Sequence, residues 1–307
     1  MQKKIAALLL LTCSAPGWSS DMVLIPAGSF IYGSDRQDDQ RRGEEFGSLK
    51  PWYSDEHPQH KVTLPAYYLD KYEVSNAEYR QFVIATDHPT SAFWLETGYT
   101  FSTQAETLEA APEAIIRKLA VGVLHLDMDT RRMDRAQLLE AIKQHYQKFG
   151  KLAVNHVTWH DANAYCAWAG KRLPTEAEWE KAARGTTGQE YPWGNTWQDS
   201  MNIAAESEWP YGVAPPGSYP QDKSPYGIFD MAGNVSEWVQ NWYQPYPGNQ
   251  YKSVLFGKNY KVARGGGWST SGHYALQHYR RGAYRINLSP EKNFNDVGFR
   301  CAKSIIK

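Results

Sequence analysis

The sequence predicts a mixed α+β domain with little regular secondary structure and one inserted helical hairpin. Three observations carry this. The 307 residues include 12 Trp, 20 Tyr, 24 Gly and 17 Pro, a mixture that suits turns and irregular segments packed by large flat side chains. The apolar runs are short and stopped by Pro or Gly, as in Met22–Phe30, so strands should be brief. Residues about 104–150 differ in texture: rich in Ala, Leu, Glu and Lys and poor in Gly, they place apolar residues at helical spacing. No fixed-period repeat runs along the chain.

The elements follow in order. Met1 to about Ser20 reads as an export signal, with Lys3 and Lys4, the apolar run Ile5–Leu11, then Ser14, Ala15, Pro16 and Gly17. That run is too short to span a bilayer, and no later one is long enough. Cys13 after Leu10-Leu11-Thr12 offers a lipid-modified N-terminus as the second choice, because Thr12 matches a lipoprotein cleavage site poorly. The expected product is residues 21–307, periplasmic or secreted. Met22–Phe30 should be a strand running into a turn, and 34–60 a loop. Lys61–Leu64 and Tyr67–Leu69 are strand-like. Ser75-Asn76-Ala77-Glu78 is a capping box opening a helix whose apolar face is Tyr79, Phe82 and Val83. Thr107–Leu119 and Arg135–Phe149 form the hairpin. Asp161–Trp168 is a helix ended by Gly170, and Thr175–Glu178 opens the next, carrying Trp179. Residues 185–300 are turns and short strands.

Charge and cysteine content narrow the function. Lys plus Arg and Asp plus Glu number 33 each, which excludes a generally basic nucleic-acid binder. A 42% hydrophobic share excludes a disordered chain. Past the signal two cysteines stand, Cys166 and Cys301. In an oxidising compartment they could close a long loop, worth roughly 3–5 kcal/mol, or they could be two separate buried thiols.

Five segments then resemble one family. They are Ala164–Glu180 (AYCAWAGKRLPTEAEWE), Tyr191–Asn195 (YPWGN), Tyr226–Trp238 (YGIFDMAGNVSEW), Arg264–Trp268 (RGGGW) and Val297–Cys301 (VGFRC). In this order they resemble the formylglycine-generating-enzyme, or sulfatase-modifying-factor, family across nearly all of residues 21–307, with about 104–150 as an insertion. The resemblance implies one compact domain of C-type-lectin-like fold. It implies a disulfide between Cys166 and Cys301, and the loss of a second family pair near Ala183 and Gly282.

It also implies calcium at Asp230, Gly233, Val235 and Glu237. Two carboxylates with intervening carbonyls in a tight turn suit a hard cation, and the same turn could instead be held by side-chain-to-backbone hydrogen bonds. Asn202, Ile203 and Glu208 match a second family calcium site more loosely.

What is missing is as informative. The family's copper is held by two thiolates shortly after the Arg-Gly-Gly segment, where soft ligands suit Cu(I). Here Thr270 and Ala275 stand in those places, and no cysteine occurs from 167 to 300. Another redox metal, iron for instance, would take neutral imidazoles and carboxylates. His273, Tyr274 and His278 are the catalytic candidates in that region, with Trp268, Thr270 and Arg281 as the expected ligand cleft. Arg281 and Arg285 also resemble a structural arginine pair of this fold. His156 and His160 are four apart, but the helix begins around Trp159–Asp161, so a shared face is not assured.

The preferred reading is an exported oxidoreductase of the cysteine-poor branch, similar to the pyoverdine-maturation proteins and acting on an exported protein, peptide or small molecule. Two other readings stand beside it: a ligand-binding scaffold, and a non-catalytic accessory factor for exported metalloproteins that docks through the insertion.

Overall fold

The computed structural model describes residues 21–48, 50–197, 210–268 and 277–305. The apolar run after residue 21 forms two strands, β1 (Met22–Ile25) and β2 (Gly28–Tyr32), parted at Pro26 and Ala27. They enter different sheets. β2 pairs antiparallel with β3 (His60–Leu64). β1 pairs antiparallel with β4 (Tyr67–Asp70), whose other edge takes β9 (Ala302–Ser304). A third sheet has the order β7 (Arg285–Leu288), β6 (Lys261–Arg264), β5 (Ser236–Trp242), β8 (Val297–Gly298), with β8 parallel to β5 and the rest antiparallel.

The predicted caps form. The Ser75 hydroxyl and the Glu78 carboxylate each accept the other residue's backbone N–H, opening α2 (Asn76–Thr86). The same reciprocal arrangement opens α7 (Trp159–Trp168) at Thr158 and α8 (Glu176–Arg184) at Thr175. His156 lies before α7 in a left-handed conformation and His160 lies within it, so the two do not share a helix face. The segment 34–60, expected as loop, contains the short helix α1 (Arg42–Glu45), and α3 (Ala92–Thr97) follows α2.

The insertion holds more than a hairpin. The expected helix Thr107–Leu119 is two, α4 (Ala105–Ala110) and α5 (Glu113–Gly122). Pro112 forces the break: it has no N–H to continue the ladder, and it pushes Ala111 into an extended conformation, ψ 147°. Ile116, Leu119, Ala120 and Leu124 then pack with Leu138 and Ile142 of α6 (Arg135–Gly150), giving the insertion a small core of its own.

The main core is aromatic. Tyr79, Phe82, Trp94, Tyr165, Trp238 and Phe299 pack around Cys166 and Cys301, which are bonded to each other with Cα atoms 5.7 Å apart. A second cluster centres on Trp179 of α8 with Met231, Val239 and Tyr243.

Candidate functional site

A buried ionic frame lies behind the site. Glu176, Glu180 and Arg184 recur every four residues and so share one face of α8. Arg264 of β6 reaches Glu176 at 2.7 Å and Glu180 at 2.6 Å, and Arg285 of β7 reaches Glu176 at 2.6 Å. Arg184 bonds Glu180 at 2.5 Å. Arg281 grips Glu56 through both terminal nitrogens, at 2.7 and 2.9 Å, and gives its Nε–H to Glu190. Four guanidinium groups thus face four carboxylates. Burial alone would raise the Glu176 carboxyl, but Arg285 and Arg264 outweigh it and hold it below the usual carboxylate range.

In front of this frame lies a cleft of about 730 Å³. Lys50 and Trp52 contribute one wall, the 251–255 loop another, and His278, Tyr279 and Tyr284 the base. The Lys50 ammonium donates to Asp55 Oδ2 at 2.6 Å and to the Arg285 carbonyl at 3.1 Å. Tyr243 donates to the same Asp55 oxygen at 2.7 Å. His278 lies flat on Trp52, ring centres 4.2 Å apart, with Tyr53, Tyr279 and Tyr284 set edge-on around it. Both of its ring nitrogens are buried without a hydrogen-bond partner. Burial first, then the charges of Arg281 and Lys50, pull its pKa down to about 2, so the imidazole is neutral. Tyr53 holds a left-handed φ of 67° beside it, a conformation that costs energy for a bulky residue.

A second polar cluster lies at the turn before β5. Asp230 and Asn234 both hold φ near 60°, a region that short polar side chains tolerate best. Asp230 accepts the Gly217 N–H at 2.5 Å through Oδ2, and Asp222 accepts the Ala232 N–H at 2.9 Å, also through Oδ2. The Oδ1 atoms of both are buried without partners. Glu73 accepts from the Val235 N–H at 3.1 Å and from Asn234 Nδ2. Burial, with mutual repulsion added, pushes Asp230 up to about 7 and drives Glu73 well above the carboxylate range; burial pushes Asp222 up to about 6.

The structure redistributes several expected roles. Glu237 is not open to a cation: Arg300 holds both its oxygens, each at 2.7 Å, and Trp179 donates to it at 2.8 Å. Asp222 and Glu73, which the sequence reading missed, are the groups placed near Asp230. Among the described residues, no three His, Cys, Asp or Glu side chains group as a metal centre. Gly233 and Val235, named for the same calcium site, lie buried in the turn. Trp268 and Arg281 do not form one cleft. The Trp268 indole lies over Gly212, where any Cβ would collide with it at 2.3 Å, and donates to the Asn295 carbonyl at 2.9 Å. Arg281 is spent in the frame, 2% exposed, which corrects its place in the expected ligand cleft and favours the structural-pair reading. Thr270, His273, Tyr274, Asn202, Ile203, Glu208 and the 1–20 signal with Cys13 lie outside the described residues. Lys50, Trp52, Asp55 and Glu56 were legible only as part of a loop; the Lys-Pro-Trp-Tyr step at 50–53 was the one hint of a packed segment.

The model of the sulfatase-modifying factor enzyme 1-like domain matches residues 14–305. The inactive C-alpha-formylglycine-generating enzyme 2 of Mus musculus is 31% identical over 97% of this chain and 92% of its own length. The hercynine oxygenase of Mycolicibacterium smegmatis is 31% identical over 85% of this chain and 57% of its own. The structure of PvdO from Pseudomonas aeruginosa superposes with a TM-score of 0.57 at 23% identity, covering 92% of this chain and 94% of that one.

Proposed function

The chain belongs to the sulfatase-modifying factor enzyme 1-like family, with its C-type-lectin-like fold, and from that premise we propose an exported member that binds a peptide or small molecule in the Trp52–His278 cleft and alters it oxidatively without a copper–thiolate centre. One observation carries the second half of this. The two cysteines of residues 21–307 are bonded to each other and fully buried, so no thiolate is left to hold copper. The hercynine oxygenase relative supports an oxidative reading of this scaffold.

The chain's own residues do three things in this reading. The Arg–Glu frame anchors the cleft from behind, because Arg285 donates to the Asp55 carbonyl at 2.8 Å and its own carbonyl accepts from Lys50 at 3.1 Å. Asp55 holds Lys50 at its wall. His278 stays neutral and gives the cleft a flat uncharged surface. Calcium fits the second cluster, where the free oxygens of Asp222 and Asp230 lie buried and the local charge is surplus negative. Asp230 and Asp222 would hold it, with the carbonyls of Gly233 and Val235 that the family uses. It would neutralise buried charge there and take no part in the reaction.

Elemental analysis of protein produced through an export pathway, with and without mild chelation, tests the proposal. Stoichiometric iron or another redox metal supports it. Formylglycine formed from a cysteine peptide by this chain would overturn it. Calcium alone would favour the second reading, a non-catalytic ligand binder, which the high coverage of the inactive mouse relative also supports.

A further inference from the structure

We propose that the Trp52–His278 cleft seats an aromatic carboxylate, either as a free acid or as an aromatic–acidic step in a peptide. This rests on the reading that substrate binds in this cleft, and adds the chemistry of what binds.

Shape gives the ring. A volume of about 730 Å³ holds a side chain with its neighbours and excludes a folded domain. Its walls are Trp52, Tyr251, Tyr279, Tyr284 and Ile286, flat and apolar surfaces that favour a planar group. At its mouth Val254 is 97% exposed, an apolar lip on which the rest of a ligand can lie.

Charge gives the carboxylate. Lys50 and Lys252 line the cleft, and among the described lining residues there is no Asp or Glu. Lys50 uses two of its three N–H bonds on Asp55 and the Arg285 carbonyl, which leaves one. Lys252 is exposed and has no ion pair among the described residues. His278 is 5% exposed and both of its ring nitrogens are closed off, so it serves as a flat uncharged surface of the cleft and the carboxylate is left to the two lysines. The field at the ring has the matching sign: Arg281, Lys50 and Arg36 act on it in one direction, with Asp55 opposing.

The test titrates full-length protein at low salt, following tryptophan fluorescence. The probes are 3-phenylpropionate, its neutral amide, phenethylamine and N-acetyl-Phe-Glu-amide. One or both acids should bind saturably, the neutral amide about tenfold weaker, and the amine not at all. Lys252→Glu should weaken acid binding at least about fivefold with an unchanged melting temperature. Binding of 3-phenylpropionate but not the peptide would mark a small-molecule ligand; the reverse would mark a peptide. Equal binding of acid and amide, an indifferent Lys252→Glu, or no acid binding by natively folded protein would overturn the inference. Acids that bind without turnover would leave it standing and sink the oxidative reading. Turnover of a substrate lacking a carboxylate would do the opposite.

Discussion

Ala183 and Gly282 face one another: a Cβ built on Gly282 would stand 3.8 Å from that of Ala183. This is the mean Cβ separation in disulfides, and these are the positions where the family's second pair was expected and found missing from the sequence. The chain has kept the geometry without the sulfur. Ala183→Cys with Gly282→Cys should therefore form a bond on oxidation. The gain should stay below the roughly 4.7 kcal/mol of a loop of about 100 residues, because the new Cβ meets Arg184 Cγ at 2.5 Å and that stem must move. Thiol titration and melting with and without reductant would read both effects.

The native bond should matter more. Cys166 and Cys301 lie 135 residues apart and both are fully buried. Changing both to Ser should cost roughly 3–5 kcal/mol, measured as a lower denaturant midpoint in the double variant than in oxidised native protein.

Arg264 compensates two buried carboxylates at once. Arg264→Met should destabilise by about 3–5 kcal/mol, because Glu176 and Glu180 would lose a shared counter-charge. Adding Glu180→Gln should recover part of that loss. Denaturation of Arg264→Met, Glu180→Gln and the double variant beside native protein forms the cycle.

Two clusters should pull stability in opposite directions with pH. Asp222 and Asp230 have pKa values raised to about 6 and about 7, first by burial, against roughly 3.9 unfolded. Their contribution is complete below about pH 4 and is lost as pH climbs through 6 to 7. His278, lowered to about 2 first by burial, stands against about 6.5 unfolded. Its contribution is complete above about pH 6.5 and is lost as pH falls below that. In chelator, the acids should make the melting temperature drop between about pH 4 and 7. Calcium should remove that drop by neutralising them, and His278→Phe should remove the loss on the acid side. Calorimetry across pH in both conditions would separate the two.

Local signals in the sequence carried much of this fold. The Ser75 and Thr175 caps, the strands at 61–69 and the Cys166–Cys301 pair are each set by a few neighbouring residues or by a motif. The break at Pro112 was legible too, and was overridden by the helical spacing around it. The site was less legible because its parts meet from far apart. Trp52 and His278 stack across 226 positions, and Glu237 is claimed by Arg300 from 63 residues away. No periodicity encodes such pairings. Arg281 illustrates the limit: its basic neighbourhood is visible in the sequence, but whether it faces a ligand or Glu56 depends on a loop whose path the sequence does not specify.

β9 and the two residues before it gather three distant closures into one short segment. This final strand completes the sheet begun by β1, directly after Arg300 has filled the core and Cys301 has met Cys166. Without residues 300–304, β4 would have a bare edge, Glu237 would lack its guanidinium partner and Cys166 its bonded sulfur. Each of these contacts joins positions far apart in sequence and so carries a loop-closure cost, and a change at Arg300 or Cys301 would be felt in the sheet and in both cores at once.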